Sequence, residues 1–351
     1  TRFGDRMRKL LLLCLLMLSA LAGATLSASA QPSDTFYKNR QVRLVIGANG
    51  GSSFDAYGRL LAAHLGRHIP GNPTIVPSNM PGASGITSVA YLYQAAPKDG
   101  LVIGTFNDNM PLRQVLEPAL RFDLKDFNWL GAMGNSVAAL ITWHASGVKT
   151  LDDAKKKTVV LGALGNDGGN AVYPRLLNKN LRTQFKLVLG YQGGSTLQLA
   201  MERGEIDGRG AVVWSGFKAG WPHWIAENKI NVLVQVGLAK DRDLPDVPLL
   251  IDLAKTPQER AVFQFLSSNT AVGFPVVAPP GVPADRVATL RKAVADTMSD
   301  PAFLRDAERQ HLPVRFTPGD DVQRIVQGLV SAPPAVIATL KQSLDEQPAA
   351  N

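Results

Sequence analysis

Along this chain, short runs of β-branched and aliphatic residues end in glycine-rich loops, and each loop is followed by apolar residues at helical spacing. Val42 to Ile46 leads into Gly50-Gly51-Ser52-Ser53-Phe54-Asp55, after which Leu60, Leu61, Ala63 and Leu65 mark one buried helix face. Gly66 and Pro70-Gly71 close that unit. Thr74-Ile75-Val76 is a second run. It leads to Pro81-Gly82-Ala83-Ser84-Gly85-Ile86 and a helix carrying Ile86, Val89, Ala90 and Tyr93. Leu101 to Phe106 is a third, ending at Asn107-Asp108-Asn109, with Pro111 in the first turn of the next helix. Three strand-to-helix passages in quick succession predict a wound α/β sheet.

The pattern restarts after Leu140-Ile141-Thr142-Trp143. Val159 to Leu164 ends in Gly165-Asn166-Asp167-Gly168-Gly169-Asn170, and Phe185 to Tyr191 ends in Gln192-Gly193-Gly194-Ser195-Thr196. Each again opens a helix, with Ser195 the expected N-cap of Leu197 to Arg203 and Gly204 its stop. Ala211 to Trp214 and Ile230 to Leu238 add strands. The apolar run Ala271 to Ala278 is placed to return the chain to the first unit, and a strong helix over Arg286 to Met298 and further helix follow. The expected architecture is α/β, with residues 34–137 and 270–345 forming one lobe, 138–269 the other, and a ligand cleft between them.

Glycine lets a backbone approach a ligand closely, and the first N–H groups of a helix, at the positive end of its dipole, favour an anion. The Asn49 to Asp55 and Pro81 to Gly85 loops therefore read as anion receptors. Phosphate sites usually add Lys or Arg, and neither loop contains one, although Arg43 and Arg59 flank the first. A carboxylate suits them better. Ser52 and Asp55 fit a capping pair at the helix start, so Asp55 organises the loop and is not read as a base.

The first thirty residues change the setting. Arg6, Arg8 and Lys9 precede an apolar run from Leu10 to Leu18, and Ala28-Ser29-Ala30 has the small-residue pattern of a cleavage site, so the segment reads as a Sec signal peptide with Met7 as the natural start. The run is shorter than the ~20 residues a spanning helix needs. Cleavage near Ala30 would place the mature chain in the periplasm. Without residues 1–30 the chain keeps 33 basic and 28 acidic side chains and no cysteine, since Cys14 is the only one. No Lys/Arg run is long enough to suggest nucleic-acid binding.

Walker, GxGxxG, GxSxG, CxxC and HExxH motifs are all missing, and no catalytic residue, metal site or cofactor is expected. His64 and His68 have i, i+4 spacing, but Leu65 stands where a zincin glutamate would be, and a solvent-facing pair is the simpler reading. Trp214, Trp221 and Trp224 follow a second-lobe strand. Core packing accounts for at least two of them, while Trp214, beside Ser215-Gly216, is positioned to line the cleft. Gly208-Arg209-Gly210 reads as a turn, with Arg209 pairing a ligand's second carboxylate as the other option.

Taken in order, VRLVIGANGGSSFDAYGRLL, NMPGASGITSVAYLYQAAPKDGLVIGTF, GEIDGR, RDLPDVPLL and FPVVAPPGVPADRVATL resemble the Bug/TctC family, extracytoplasmic receptors of tripartite tricarboxylate transporters. The family's GGxxDxxAR, NRPGAxG, PDG, PxxPT and aPxGtP runs correspond to Gly50 to Arg59, Asn79 to Gly85, Asp99-Gly100, Pro245 to Leu249 and Pro279 to Pro283. Met80 replaces the usual Arg, Tyr57-Gly58 a more apolar stretch, and Leu249 the Thr.

The resemblance implies a type II periplasmic-binding fold that closes on a small mono- or dicarboxylate and hands it to membrane permease subunits without chemistry. It assigns the proximal carboxylate to Asn49, Gly50, Gly51, Ser52, Ser53, Asp55, Pro81, Gly82, Ala83, Ser84 and Gly85, with Asn107 beside them. It leaves the rest of the ligand to Gly168, Gly169, Asn170, Gly194, Ser195, Thr196 and Trp214. Monomer is the default for such a receptor. A solute sensor signalling to a membrane kinase would carry the same features, and an enzyme acting on a carboxylate ester is the third class.

Overall fold

The computed structural model of the protein describes residues 33–134, 137–166 and 168–345. The signal peptide read in residues 1–30 lies outside them. Two sheets organise the chain. The first contains β1 (Gln41–Ile46), β2 (Thr74–Asn79), β3 (Val102–Thr105), β4 (Asn128–Ala132), β10 (Pro275–Ala278) and β11 (Thr317–Pro318), in the order β11-β4-β10-β3-β1-β2. The second contains β5 (Ala138–Trp143), β6 (Val159–Gly162), β7 (Phe185–Val188), β8 (Gly208–Val213) and β9 (Ile230–Val236), in the order β7-β6-β8-β5-β9.

In the first sheet β1 runs parallel to β2 and β3. Val42, Leu44, Val45 and Ile46 are all fully buried, as a parallel strand covered on both faces requires. The strand β2 runs past the expected Val76 through Pro77 to Asn79. Proline is tolerated there because β2 is the sheet edge. The apolar return strand β10 inserts antiparallel between β3 and β4. The strand β4, with Gly131 inside a short Asn-Trp-Leu-Gly-Ala segment, carries little periodic signal and was not expected.

Helices cover the sheets: α1 (Ser33–Phe36), α2 (Ser53–Leu65), α3 (Ile86–Gln94), α4 (Met110–Leu116), α5 (Leu151–Lys156), α6 (Gly169–Leu181), α7 (Gly194–Glu202), α8 (Trp214–Gly220), α9 (Pro222–Ala226), α10 (Pro257–Asn269), α11 (Ala284–Ser299), α12 (Pro301–Arg309), α13 (Gly319–Val330) and α14 (Pro334–Asp345). Leu60, Leu61 and Leu65 of α2 are buried as the spacing predicts, but Ala63 faces solvent. His64 is also buried, not solvent-facing. Its Nε2 lies 2.9 Å from Asp306 Oδ2 and its Nδ1 3.0 Å from Arg67 Nη2, while His68 pairs with Asp300, so the two histidines anchor α2 and the turn after it to α12. No metal-holding group of His, Cys, Asp and Glu occurs among the described residues.

The C-terminal helix α14 crosses the boundary drawn from sequence. It packs on α6 and α10, with Gln258 Nε2 donating to Thr339 Oγ1 at 2.6 Å. No described helix is long and apolar enough to cross a membrane.

Candidate ligand cleft

The parallel strand β1 delivers the first glycine loop to the start of α2. Ser52 is the N-cap, accepting from the Asp55 N–H at 3.2 Å. The Asp55 carboxylate does not reach back to Ser52. Its Oδ2 accepts from the Gly51 N–H at 2.9 Å, and its Oδ1 accepts from Arg59 Nε at 2.9 Å and Asn79 Nδ2 at 2.8 Å. Arg59 closes the network by donating to Asn79 Oδ1. Burial alone would raise the Asp55 pKa, but these donors outweigh it and hold the carboxyl below its usual range. Asp55 thus fixes the loop from beneath. Gly51, at φ +77°, supplies the left-handed bend. The N–H groups of Gly50, Ser53 and Phe54 have no partner among the described residues, which leaves donors at a helix start.

Facing this loop is the start of α7. The helix begins at Gly194, one residue before the expected cap. Thr196 Oγ1 bridges the Gly193 backbone, accepting from its N–H at 3.2 Å and donating to its carbonyl at 2.8 Å, so Ser195 is left inside the first turn and exposed. The two helix starts border a cavity of about 580 Å³ whose walls include Asn49 to Phe54 on one side and Gln192 to Thr196 on the other. A smaller cavity of about 180 Å³ adjoins it, sharing Phe54, Arg209, Val212 and Val213, and brings Asn107 to Asn109 against Gly168, Gly169 and Asn170.

Arg209 is the largest departure from the sequence reading. Gly208-Arg209-Gly210 is no turn but the first half of β8, and both glycines sit where a Cβ could not fit. At Gly208 it would stand 2.2 Å from the Ile141 carbonyl oxygen, and at Gly210 2.3 Å from that of Asn170. Arg209 between them is 8 % exposed. Burial pushes its guanidinium pKa down to about 10, which leaves it charged at neutral pH.

A sequence profile described as the tripartite tricarboxylate transporter family receptor, TctC, matches residues 59–341. The chain belongs to this family. Among curated relatives, a UPF0065 protein encoded in the gbd 5′ region of Cupriavidus necator is 26 % identical over 250 residues, covering 67 % of this chain and 70 % of that protein. Solved structures share the fold. MatC from Rhodopseudomonas palustris, with bound malate, aligns at a TM-score of 0.65 and 18 % identity over 88 % of this chain and 99 % of its own. An R. palustris protein with adipate gives 0.65 and 18 % over 87 % and 97 %, and the periplasmic binding protein BugD gives 0.64 and 17 % over 88 % and 98 %. The fold is therefore the two-lobed α/β fold of TctC-family binding proteins.

Within this TctC-family cleft, Asp55 beneath its loop and two further groups of expected residues stand apart from the cavities. The Pro81 to Gly85 loop lines neither one. Its turn at Ala83–Gly85 is drawn toward α4, where Arg113 Nη1 donates to the Ala83 carbonyl at 2.8 Å. Trp214 also lines neither. It is 3 % exposed and stacked on Phe217 in the second-lobe core, and Phe217 and Trp221 present the aromatic surface to the cleft instead. Trp221 follows α8, and its offset from Trp214 shows in sequence only as a place in the aromatic cluster. Gln198, one turn into α7, lines the cavity too, with no sequence signal beyond its spacing from Gly194.

Proposed function

We propose that the cleft captures a small organic carboxylate and delivers it, chemically unchanged, to the membrane subunits of a tripartite transporter. The observation that carries this reading is the pairing of two helix starts with unpartnered N–H groups across a cavity that no carboxylate lines among the described residues. An anion is the complementary guest. A carboxylate fits the first loop because the donors there are backbone N–H groups and hydroxyls, without the lysine that phosphate sites recruit. Malate in MatC and adipate in the R. palustris protein, both of the same fold, support an organic acid. The leader read in residues 1–30 supports action in the periplasm, and a monomer that closes about its hinge suits delivery.

The test is thermal unfolding of the mature protein in a panel of aliphatic, aromatic and amino-acid carboxylates. A ligand present at about a hundred times its dissociation constant stabilises the folded state by roughly 2.7 kcal/mol, and at least one carboxylate is expected to do so. Folded, ligand-free protein that no carboxylate stabilises would overturn the reading.

A further inference from the structure

We infer that the guest is an arylcarboxylate, with its carboxylate on the first glycine loop and its ring seated between Phe54 of the first lobe and Trp221 of the second. The inference rests on the carboxylate-receptor reading of the cleft. Both residues line the 580 Å³ cavity, and both are half-buried. Each packs on a fully buried aromatic. The Phe54 ring lies 5.0 Å from that of Phe274, tilted by 48°, and the Trp221 ring 4.9 Å from that of Trp224, tilted by 50°. The Trp221 backbone is held from both sides, its N–H donating to the Phe217 carbonyl at 2.9 Å and its carbonyl accepting from the Trp224 N–H at 3.2 Å. Two firmly held aromatic residues, one on each lobe, thus keep part of their surface uncovered in the same cleft.

The rest of the lining agrees. Val213 and Phe217 add apolar surface, and among the described residues Arg209 is the only charged one that lines this cavity. Sites that enclose drug-sized molecules measure roughly 300–1,000 Å³, and a cavity of about 580 Å³ has room for a ring as well as a carboxylate. An aromatic ring suits these walls for two physical reasons. It is rigid, so holding it costs less conformational freedom than holding an aliphatic chain of the same carbon count. It also meets other rings through edge and offset contacts, whose attraction adds to that of burial. A short aliphatic acid satisfies the donors at the start of α2 and leaves both aromatic residues uncovered.

Calorimetric titration of the mature protein with benzoate, phenylacetate and 3-phenylpropionate, each beside its cyclohexyl counterpart, and with adipate tests this. The cyclohexyl ring carries the greater apolar surface, so burial alone favours it. The wild-type protein is expected to bind at least one aryl acid about 3- to 10-fold more tightly than its cyclohexyl counterpart, the range of an aromatic pair beyond burial, and more tightly than adipate. In Trp221→Leu, checked for folding by circular dichroism, that ratio should fall to about one, while in Trp221→Phe it should persist. Wild-type protein that binds adipate or the cyclohexyl acids as tightly as every aryl acid overturns the inference and leaves the receptor reading standing. So does Trp221→Leu protein that keeps the ratio. Folded protein that binds no carboxylate overturns both.

Discussion

The two walls of the cleft handle charge in opposite ways. On the first lobe Asp55 is ionised, buried and saturated with partners: Gly51, Arg59 and Asn79 all donate to it, and the Asn49 to Phe54 loop it holds shows the cavity no charged side chain. On the second lobe Arg209 is ionised, buried and almost without partners among the described residues, and it lines the cavity itself. Complete internal pairing marks a charge that serves the fold. Incomplete pairing at comparable burial marks one that serves a ligand, because selection for stability alone would not retain it. In the proposed receptor the first wall grips any carboxylate, and discrimination falls to the second.

The comparison breaks most sharply at Asp55. Asp55→Ala strands the Gly51 N–H, Asn79 and Arg59 together and is expected to lower unfolding stability by roughly 2–4 kcal/mol in denaturant titrations. A loss under about 0.5 kcal/mol would show that the network is ornamental. Arg209→Met should behave oppositely. Without ligand its stability should equal or exceed the wild type by up to about 1 kcal/mol, since an unpaired buried charge is removed, while carboxylate binding weakens. A large drop in apo stability would instead make Arg209 a structural residue.

Gly216→Ala probes how the walls approach each other. The added Cβ would lie 2.6 Å from Ser53 Oγ across the lobe boundary. The serine side chain can swing aside, so a several-fold loss of affinity is expected from titration, with stability changed by less than about 1 kcal/mol. The smallest effect is in pH. The Asp55 pKa is lowered on folding, so its contribution is complete above the ordinary value near 3.9 and is lost as pH falls through the lower folded value. Asp55→Asn should flatten the acid limb of the stability profile below about pH 4 and leave its shape unchanged at neutral pH.

Much of this frame is legible in the sequence. Runs such as Leu44 to Ile46 are buried on both faces and therefore continuous, and the glycines and capping residues after them have local consequences that short-range reasoning captures. The role of Asp55 as loop organiser follows from the same local chemistry. Arg209 is not legible in that way. Flanking glycines ordinarily mark a turn, and here they mark close packing against the Ile141 and Asn170 carbonyls, a fact set by a strand and a helix start far from β8 in the chain. Trp214 and Trp221 are alike in composition and context, and only the geometry of α8 decides which enters the core. The Pro81 to Gly85 loop has the composition of a receptor, yet a contact from Arg113 in another element settles where its carbonyls point.

The central claim is that a carboxylate sits between the lobes at the start of α2. A crystal structure of the protein with the most stabilising carboxylate from the thermal screen tests it most directly. The account predicts carboxylate oxygens within hydrogen-bonding distance of the Gly50 and Ser53 N–H groups, with the rest of the ligand directed toward α7. A ligand bound outside the cleft, or one whose carboxylate turns away from the first glycine loop, would contradict it.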